Sequence, residues 1–408
     1  VVLFPMSRQA KLKTRVCMGQ IVNGQNGDYV VNDKIGAGGF GQVYVVQEHN
    51  PERISKEPSL YAMKTESTNR AVDRLKVEIN VLEELKKARL TKNFCTLYDF
   101  GETIMFKWMV ITLVGASLTK VLSIILNQDN FSKSTTCQIA LQTLEALKAL
   151  HNTGYIHRDV KPDNFAIGNP PNHTIIYILD FGLSRRYLDA NRNWIPLRSY
   201  VPFLGTVRYA ARSCHYRMES GPSADLESWL YMVYEFFDKR NIEWRKMVDN
   251  NLVLNLKIKF FKSKMDLSNV TSGFYNIREY IHDLGAQQIP NYVFIRNHIV
   301  NGAVKDNVDV TEDLDWIAAY KRVVKMPSQE EPKQEPARIP QKRDSCMPNA
   351  RPRVRTINLC KENPSYRADK ISPDSVSKLI DSVKGKEKKS IQEKNTITDK
   401  LEKRTGDK

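Results

Sequence analysis

The chain of 408 residues has only six cysteines, at positions 17, 95, 137, 214, 346 and 360, and none falls in a C-x-x-C pair or at a metal-ligand spacing. That scarcity excludes a disulfide-stapled secreted scaffold and a zinc module, and it fits reduced thiols in an intracellular protein. No apolar run comes near the roughly 20 residues that a membrane-spanning helix needs. The start, Val1-Val2-Leu3-Phe4-Pro5, lacks the charged lead and long apolar stretch of a secretory signal. The expected location is therefore cytoplasm or nucleus. What the chain does have is a 41% hydrophobic share, enough for a core in one large or two ordinary domains, and a net charge of +16.

That charge is uneven. Residues 321–408 carry 23 Lys and Arg against 13 Asp and Glu. From about 326 onward the composition is Lys, Glu, Pro, Ser and Gln with few aromatics, so burial could not offset the entropy of folding, and a disordered tail is expected. Its basic surplus suits an acidic partner, cytoskeletal or nucleic acid, or simply a solvated tail. At the other end, residues 1–27 are polar and basic and finish in the turn formers Asn23-Gly24-Gln25-Asn26-Gly27, which reads as a flexible arm outside the folded unit.

From Tyr29 the pattern is extended. Tyr29-Val30-Val31 leads through Ile35 into Gly36-Ala37-Gly38-Gly39-Phe40-Gly41, and Val43-Tyr44-Val45-Val46 follows. A dinucleotide-binding glycine motif opens a helix, whereas the β-branched residues here argue for a second strand. A glycine hairpin of this kind can fold over phosphates because its backbone N–H groups approach the oxygens closely, with Phe40 capping the flap. The next strand carries Tyr61-Ala62-Met63-Lys64, which is similar to the V-A-I-K pattern whose lysine contacts the α and β phosphates of a nucleotide. Residues 71–89 predict a helix, with Val72, Leu75, Ile79, Leu82 and Leu85 on its apolar face, and Glu78 as the anionic partner of Lys64.

Gly115 follows the apolar strand ending in Leu113-Val114 and would let the chain bend between two lobes, with backbone groups near Leu113 and Val114 meeting an adenine edge. A helix over 135–151 then delivers the chain to Ile156-His157-Arg158-Asp159-Val160-Lys161-Pro162-Asp163-Asn164. This H-R-D-x-x-x-x-N spacing sets one carboxylate toward a nucleophile and an amide oxygen toward a metal-bound triphosphate. Asp159 is the candidate base, Asn164 a metal ligand, and Lys161 a cation beside the transferring phosphoryl group. Asp180, in Asp180-Phe181-Gly182 after an apolar strand, is the candidate ligand of Mg2+.

With these motifs in this order, the chain resembles the eukaryotic protein kinases over about residues 29 to 317. The finer resemblance is to the casein kinase 1 group: Gly205-Thr206-Val207-Arg208-Tyr209-Ala210 stands where most kinases have Ala-Pro-Glu, and Asp225-Leu226-Glu227-Ser228 looks like that group's start of the large central helix, whose aspartate braces the catalytic loop. Leu183-Ser184-Arg185-Arg186-Tyr187, Glu243-Trp244-Arg245-Lys246 and Asp315-Trp316 look most like the tau-tubulin kinases. The resemblance implies an α+β, two-lobed protein kinase fold: a small mainly-β N-lobe (28–114) with one regulatory helix and a larger mainly-α C-lobe (115–320). It implies ATP and Mg2+ as cofactors, a monomer, and transfer to serine or threonine of protein substrates. It also implies a basic anion site, Arg185, Arg186 and Arg198 with Arg158 nearby, favouring acidic or pre-phosphorylated substrates. The alternative is a pseudokinase scaffold that binds nucleotide and partners without turnover. Two positions depart from the pattern: Thr112 and Ala224 replace residues that are commonly acidic. Serines and threonines of the tail, such as Ser345 and Ser375, are candidate phosphorylation sites, with autoinhibition as their expected use.

Overall fold

A computed structural model describes residues 16–38, 41–49, 59–262 and 269–319. Gly39, Phe40 and the whole expected tail lie outside the described residues.

Strands β1 (Ile21–Asn23), β2 (Asp28–Gly38), β3 (Gly41–His49), β4 (Leu60–Ser67), β5 (Leu97–Glu102) and β6 (Phe106–Thr112) form one antiparallel sheet in the order β1-β2-β3-β4-β6-β5. Alternation along the strands sends Tyr29, Val31, Tyr44, Val46, Met63, Trp108 and Val110 into one buried cluster. The neighbours of Met63, Ala62 and Lys64, therefore face the opposite side, where a cleft opens.

The expected N-terminal arm, 1–27, is corrected by this sheet over residues 16–27, its first fifteen residues lying outside the described ones. Val16 and Val22 are buried in the same cluster, and β1 pairs with β2 in the register Ile21↔Val30. The turn formers of 23–27 close that hairpin: Gly24 N–H donates to the Gly27 carbonyl at 3.0 Å, and the Asn26 side chain donates to the Tyr98 carbonyl at 2.7 Å. Residues 16–27 thus belong to the folded unit.

Helix α1 (Arg74–Lys87) starts later than the periodicity predicts, because the Asp73 side chain accepts from Lys76 N–H at 3.1 Å and sets the N-cap. Val72 lies before the cap and is 60% exposed, so it is no part of the apolar face. Leu75, Val81, Leu82 and Leu85 bury against Leu97 and Met109 of the sheet.

The rest of the chain is mainly helical: α2 (Leu118–Lys120), which continues as a π-helix over Val121–Leu126, α3 (Lys133–Asn152), α4 (Arg212–His215), α5 (Pro222–Phe237), α6 (Asn250–Lys262), α7 (Gly273–Asp283) and α8 (Tyr292–Lys305), with short strand pairs β7 (Tyr155–Ile156) with β10 (Arg185–Arg186) and β8 (Phe165–Ile167) with β9 (Ile176–Ile178). Helix α5 is buried on nearly every side, its polar residues Asp225, Glu227, Ser228 and Glu235 included. Asp315 and Trp316 lock the lobe's end. The Asp315 carboxylate accepts from Ser132 N–H at 2.7 Å and from the Thr135 hydroxyl at 2.8 Å, where α3 begins, and the buried Trp316 indole donates to the His173 carbonyl at 2.8 Å. No helix among the described residues is long and apolar enough to cross a membrane.

Candidate active site

A cavity of about 490 Å3 lies between the sheet and the helical lobe. Its size is that of a small-molecule site. Ile35, Gly36, Ala37, Gly38, Gly41, Val43, Ala62, Lys64, Glu78, Leu113, Val114, Asn164 and Asp180 all line it. Gly41 has φ +147°, and a Cβ there would meet the Thr65 carbonyl at 2.1 Å, so the return from the flap requires glycine. Asn169 donates to the Leu113 carbonyl at 3.0 Å and pins the segment between the lobes. Gly115 serves close approach rather than a left-handed bend: its N–H reaches the Ile167 carbonyl at 2.8 Å, and a Cβ would come within 3.1 Å of that oxygen. The Thr112 hydroxyl, at one departure from the kinase pattern, accepts from Thr96 N–H at 2.9 Å.

Lys64 Nζ sits 2.5 Å from Glu78 Oε2 and 2.9 Å from Asp180 Oδ1. Burial works against the ammonium, but two carboxylates outweigh it and raise its pKa above the ordinary lysine range. Burial also pushes the Glu78 carboxyl up, while at Asp180 the Lys64 charge overcomes burial and holds the carboxyl below its usual value. Asp180 has φ +64°, a left-handed conformation rare outside glycine, held where Phe181 packs between the Phe94 and His157 rings.

The catalytic loop is fastened from behind by Asp225 of α5. Its carboxylate accepts from His157 N–H at 2.6 Å, Arg158 N–H at 2.8 Å and His151 Nε2 at 2.9 Å, which lets Arg158 hold φ +68°. The partners offset burial, and the Asp225 carboxyl lies below its usual range. On the open side, Lys161 Nζ donates to Asp159 Oδ2 at 2.6 Å, and Asn164 Nδ2 donates to the Asp159 carbonyl at 2.8 Å. With its nitrogen committed there, Asn164 presents Oδ1 as a ligand oxygen. Asn164 and Asp180 line the same cavity and offer the hard oxygens that Mg2+ takes. No cluster of three or more His, Cys, Asp or Glu among the described residues could cage a metal. That donor set suits Mg2+ held mainly by phosphate oxygens and water.

The arginines divide. Arg185 and Arg186 are successive residues of β10 and point to opposite faces. Arg186 pairs with Glu84 of α1 at 3.3 Å and lies over the Tyr155 ring. Arg185 and Arg198 instead both turn to Glu219.

Three further residues shape the site: Gly205 and Thr206, whose motif marked the resemblance but not this role, and Lys257, which had no signal in the sequence pattern. The Thr206 hydroxyl lies 3.0 Å from both Asp159 Oδ1 and Lys161 Nζ. Gly205 before it has φ +91°, and a Cβ there would meet the Arg158 carbonyl at 2.9 Å. Under this segment Lys257 is fully buried and donates to the Val207 carbonyl at 2.8 Å, the Ala210 carbonyl at 2.5 Å and His215 Nε2 at 3.1 Å. A lysine on an amphipathic helix normally reads as solvated, so only the packed segment above it reveals the contact.

Residues 29–286 match the family described as the protein kinase domain. A Dictyostelium discoideum protein named a probable serine/threonine-protein kinase is 31% identical over 300 residues, 73% of this chain and 57% of that protein. The Caenorhabditis elegans serine/threonine-protein kinase spe-6 is 31% identical over 328 residues, 76% of this chain and 82% of its own length. A C. elegans protein whose name places it with casein kinase I is 34% identical over 235 residues, 55% of this chain and 63% of its own. The chain thus spans a little over half the length of the first of these curated relatives. The match over 29–286, laid on the two lobes and the cleft between them, means that the chain belongs to the protein kinase domain family.

Proposed function

We propose that the chain is an active serine/threonine kinase of the casein kinase 1 type, transferring the γ-phosphoryl group of ATP to a protein hydroxyl. The observation that carries this reading is the gathering of Asp159, Lys161, Asn164, Lys64 and Asp180, drawn from distant parts of the chain, on one cleft. Bound Mg2+ would supply charge neutralisation of the phosphates, held by Asn164 and Asp180. Lys64, fixed by Glu78, orients the α and β phosphates. Asp159 accepts the proton of the attacking hydroxyl and aims it, and Lys161 meets the negative charge that builds on the phosphoryl oxygens. Thr206 ties the stretch 205–210 to both of them through its 3.0 Å contacts. A pseudokinase scaffold would be expected to lack one of these groups, and the complete set favours turnover.

The Arg185 and Arg198 cluster supports a preference for acidic or phosphorylated substrates, while Arg186, committed to Glu84, is left out of it. The test is phosphate transfer from ATP to serine peptides, acidic and pre-phosphorylated, by the wild type and by Asp159→Asn. The variant should be slower by about 10²- to 10⁴-fold, the usual worth of a positioned base. Equal incorporation by the two proteins would remove Asp159 from the mechanism.

A further inference from the structure

Three guanidinium groups, of Arg158, Arg185 and Arg198, crowd one carboxylate, that of Glu219. Arg198 places Nε against Glu219 Oε2 and Nη2 3.1 Å from Oε1, a fork-to-fork pair. Arg185 Nε lies 3.5 Å from Oε1. Arg158, its Nε held by the Leu183 carbonyl at 2.6 Å, is near enough for its charge to act on the same carboxylate. Burial would raise the Glu219 carboxyl, but Arg198, Arg185 and Arg158 hold it below the usual range, so it is ionised at any physiological pH. The arrangement is layered: the Glu219 side chain is 6% exposed, whereas Arg198 is 41% and Arg185 31% exposed. Arg185, Arg186 and Glu219 also line a shallow surface depression walled by Trp194 and Leu197, though Arg186 is paired with Glu84.

An anion arriving from solvent therefore meets arginines whose best donors already face inward. The side-on edge of Arg198, Nε with Nη2, one of the two by which a guanidinium grips a phosphate or carboxylate bidentately, is committed to Glu219. We propose that Glu219 is a specificity-determining residue: it stands in the place of an incoming anion in the Arg158–Arg185–Arg198 cluster and thereby lowers the enzyme's selectivity for phosphate-bearing substrates. This rests on the kinase reading above and deepens it. A substrate phosphate, with a charge of about −1.5 to −2, competes with Glu219 for the fork, and a single substrate carboxylate competes poorly. Substrate selection by this site is consequently set from within the chain, by one residue six positions before Asp225, the aspartate bracing the loop that carries Asp159.

The experiment compares kcat/KM for a serine peptide carrying a nearby phosphoserine with that for the same peptide unphosphorylated, in wild type and Glu219→Gln. The ratio should rise about tenfold or more in Glu219→Gln, through a lower KM for the phosphopeptide, as expected for one freed charge-assisted fork. Adding Arg198→Ala to Glu219→Gln should erase the gain. A second readout needs no turnover: inorganic phosphate should raise the melting temperature of Glu219→Gln more than that of wild type. Where Glu219→Gln does not fold, Glu219→Asp, which keeps the charge but withdraws it by one methylene, should give a smaller gain in both readouts. An unchanged or lower ratio with no added phosphate stabilisation, as would follow if Glu219 serves to orient the arginines for phosphate, overturns the proposal. A wild type that phosphorylates neither peptide counts against the kinase reading instead, and the phosphate melting comparison still decides the role of Glu219.

Discussion

Lys64, largely enclosed in the cleft, and Lys257, fully buried, are both lysines withdrawn from water, and their surroundings drive them in opposite directions. Lys64 lies between two carboxylates and is held charged beyond the ordinary range. Lys257 faces two backbone carbonyls and an imidazole nitrogen, and burial pushes its ammonium down to about 7. Burial taxes both charges alike in kind. Full opposing charges compensate it at Lys64, whereas dipoles and the more distant Glu227 do not at Lys257. One lysine is thus a permanent cation suited to a polyanionic ligand, and the other is a structural peg whose charge is conditional. The first lines the cleft, and the second supports the Val207–Ala210 stretch beside it.

The sharpest way to break the comparison is to take the permanent cation away. Lys64→Met should lower kcat/KM for phosphate transfer by about 10³-fold, in line with loss of a preorganised electrostatic group. It leaves Glu78 and Asp180 facing each other without a counter-charge, so binding of ATP should weaken as well, measurable by nucleotide titration. Activity within tenfold of wild type would mean that the cleft's cation lies elsewhere.

A smaller effect follows from weakening only one side of the pair. Glu78→Gln keeps the shape but leaves Lys64 with Asp180 alone, the carboxylate assigned to Mg2+. The lysine then competes with the metal for that ligand, and kcat/KM should fall about tenfold, with the apparent Mg2+ requirement rising. If Mg2+ dependence is unchanged, Glu78 acts only in packing α1.

How much of this could be read from the residues themselves follows from the range of the interactions. The glycine hairpin, the β4 lysine and the catalytic loop are short strings whose spacing alone fixes relative directions, and strand alternation turns Ala62 and Lys64 to one side. Helix α1 was legible as a helix but not at its start, because Asp73 and not the apolar period decides where helical hydrogen bonding begins. Residues 16–27 looked like an arm since a three-residue strand such as β1 carries no period, and only pairing with β2 shows that Val22 is core. The arginine group was half legible. The family resemblance grouped Arg185, Arg186 and Arg198, but two-residue β10 splits the first pair between faces, and Glu219, 21 residues beyond Arg198, shows its role only in three dimensions. Lys257 was the least legible, being tied by contacts 42 to 50 residues away along the chain.

Lys257 also offers the finest test of the comparison, through pH. Its folded pKa of about 7 lies below the unfolded value of 10.5, so between those two values the unfolded chain binds the extra proton. Stability contributed by this site therefore rises as pH climbs from about 7 to 10.5, and it is flat below 7, where both states carry the charge. Lys257→Met removes the titrating group and should remove that rise. The unfolding free energy of wild type minus that of Lys257→Met, from denaturant titrations at several pH values, should increase by up to about 1.4 kcal/mol per pH unit across this window. His215, already pushed down to about 4 by burial and Lys257, stays neutral throughout the window and contributes nothing to the slope. Cys214, raised above its ordinary value by burial, belongs to both proteins, so it affects the difference only through its coupling to Lys257. A pH-independent difference would place the Lys257 charge with Lys64 after all, held permanently by the carbonyls of Val207 and Ala210, and the contrast between carboxylates and backbone dipoles as partners of a buried ammonium would fail at the one place in this fold where it has been drawn most sharply.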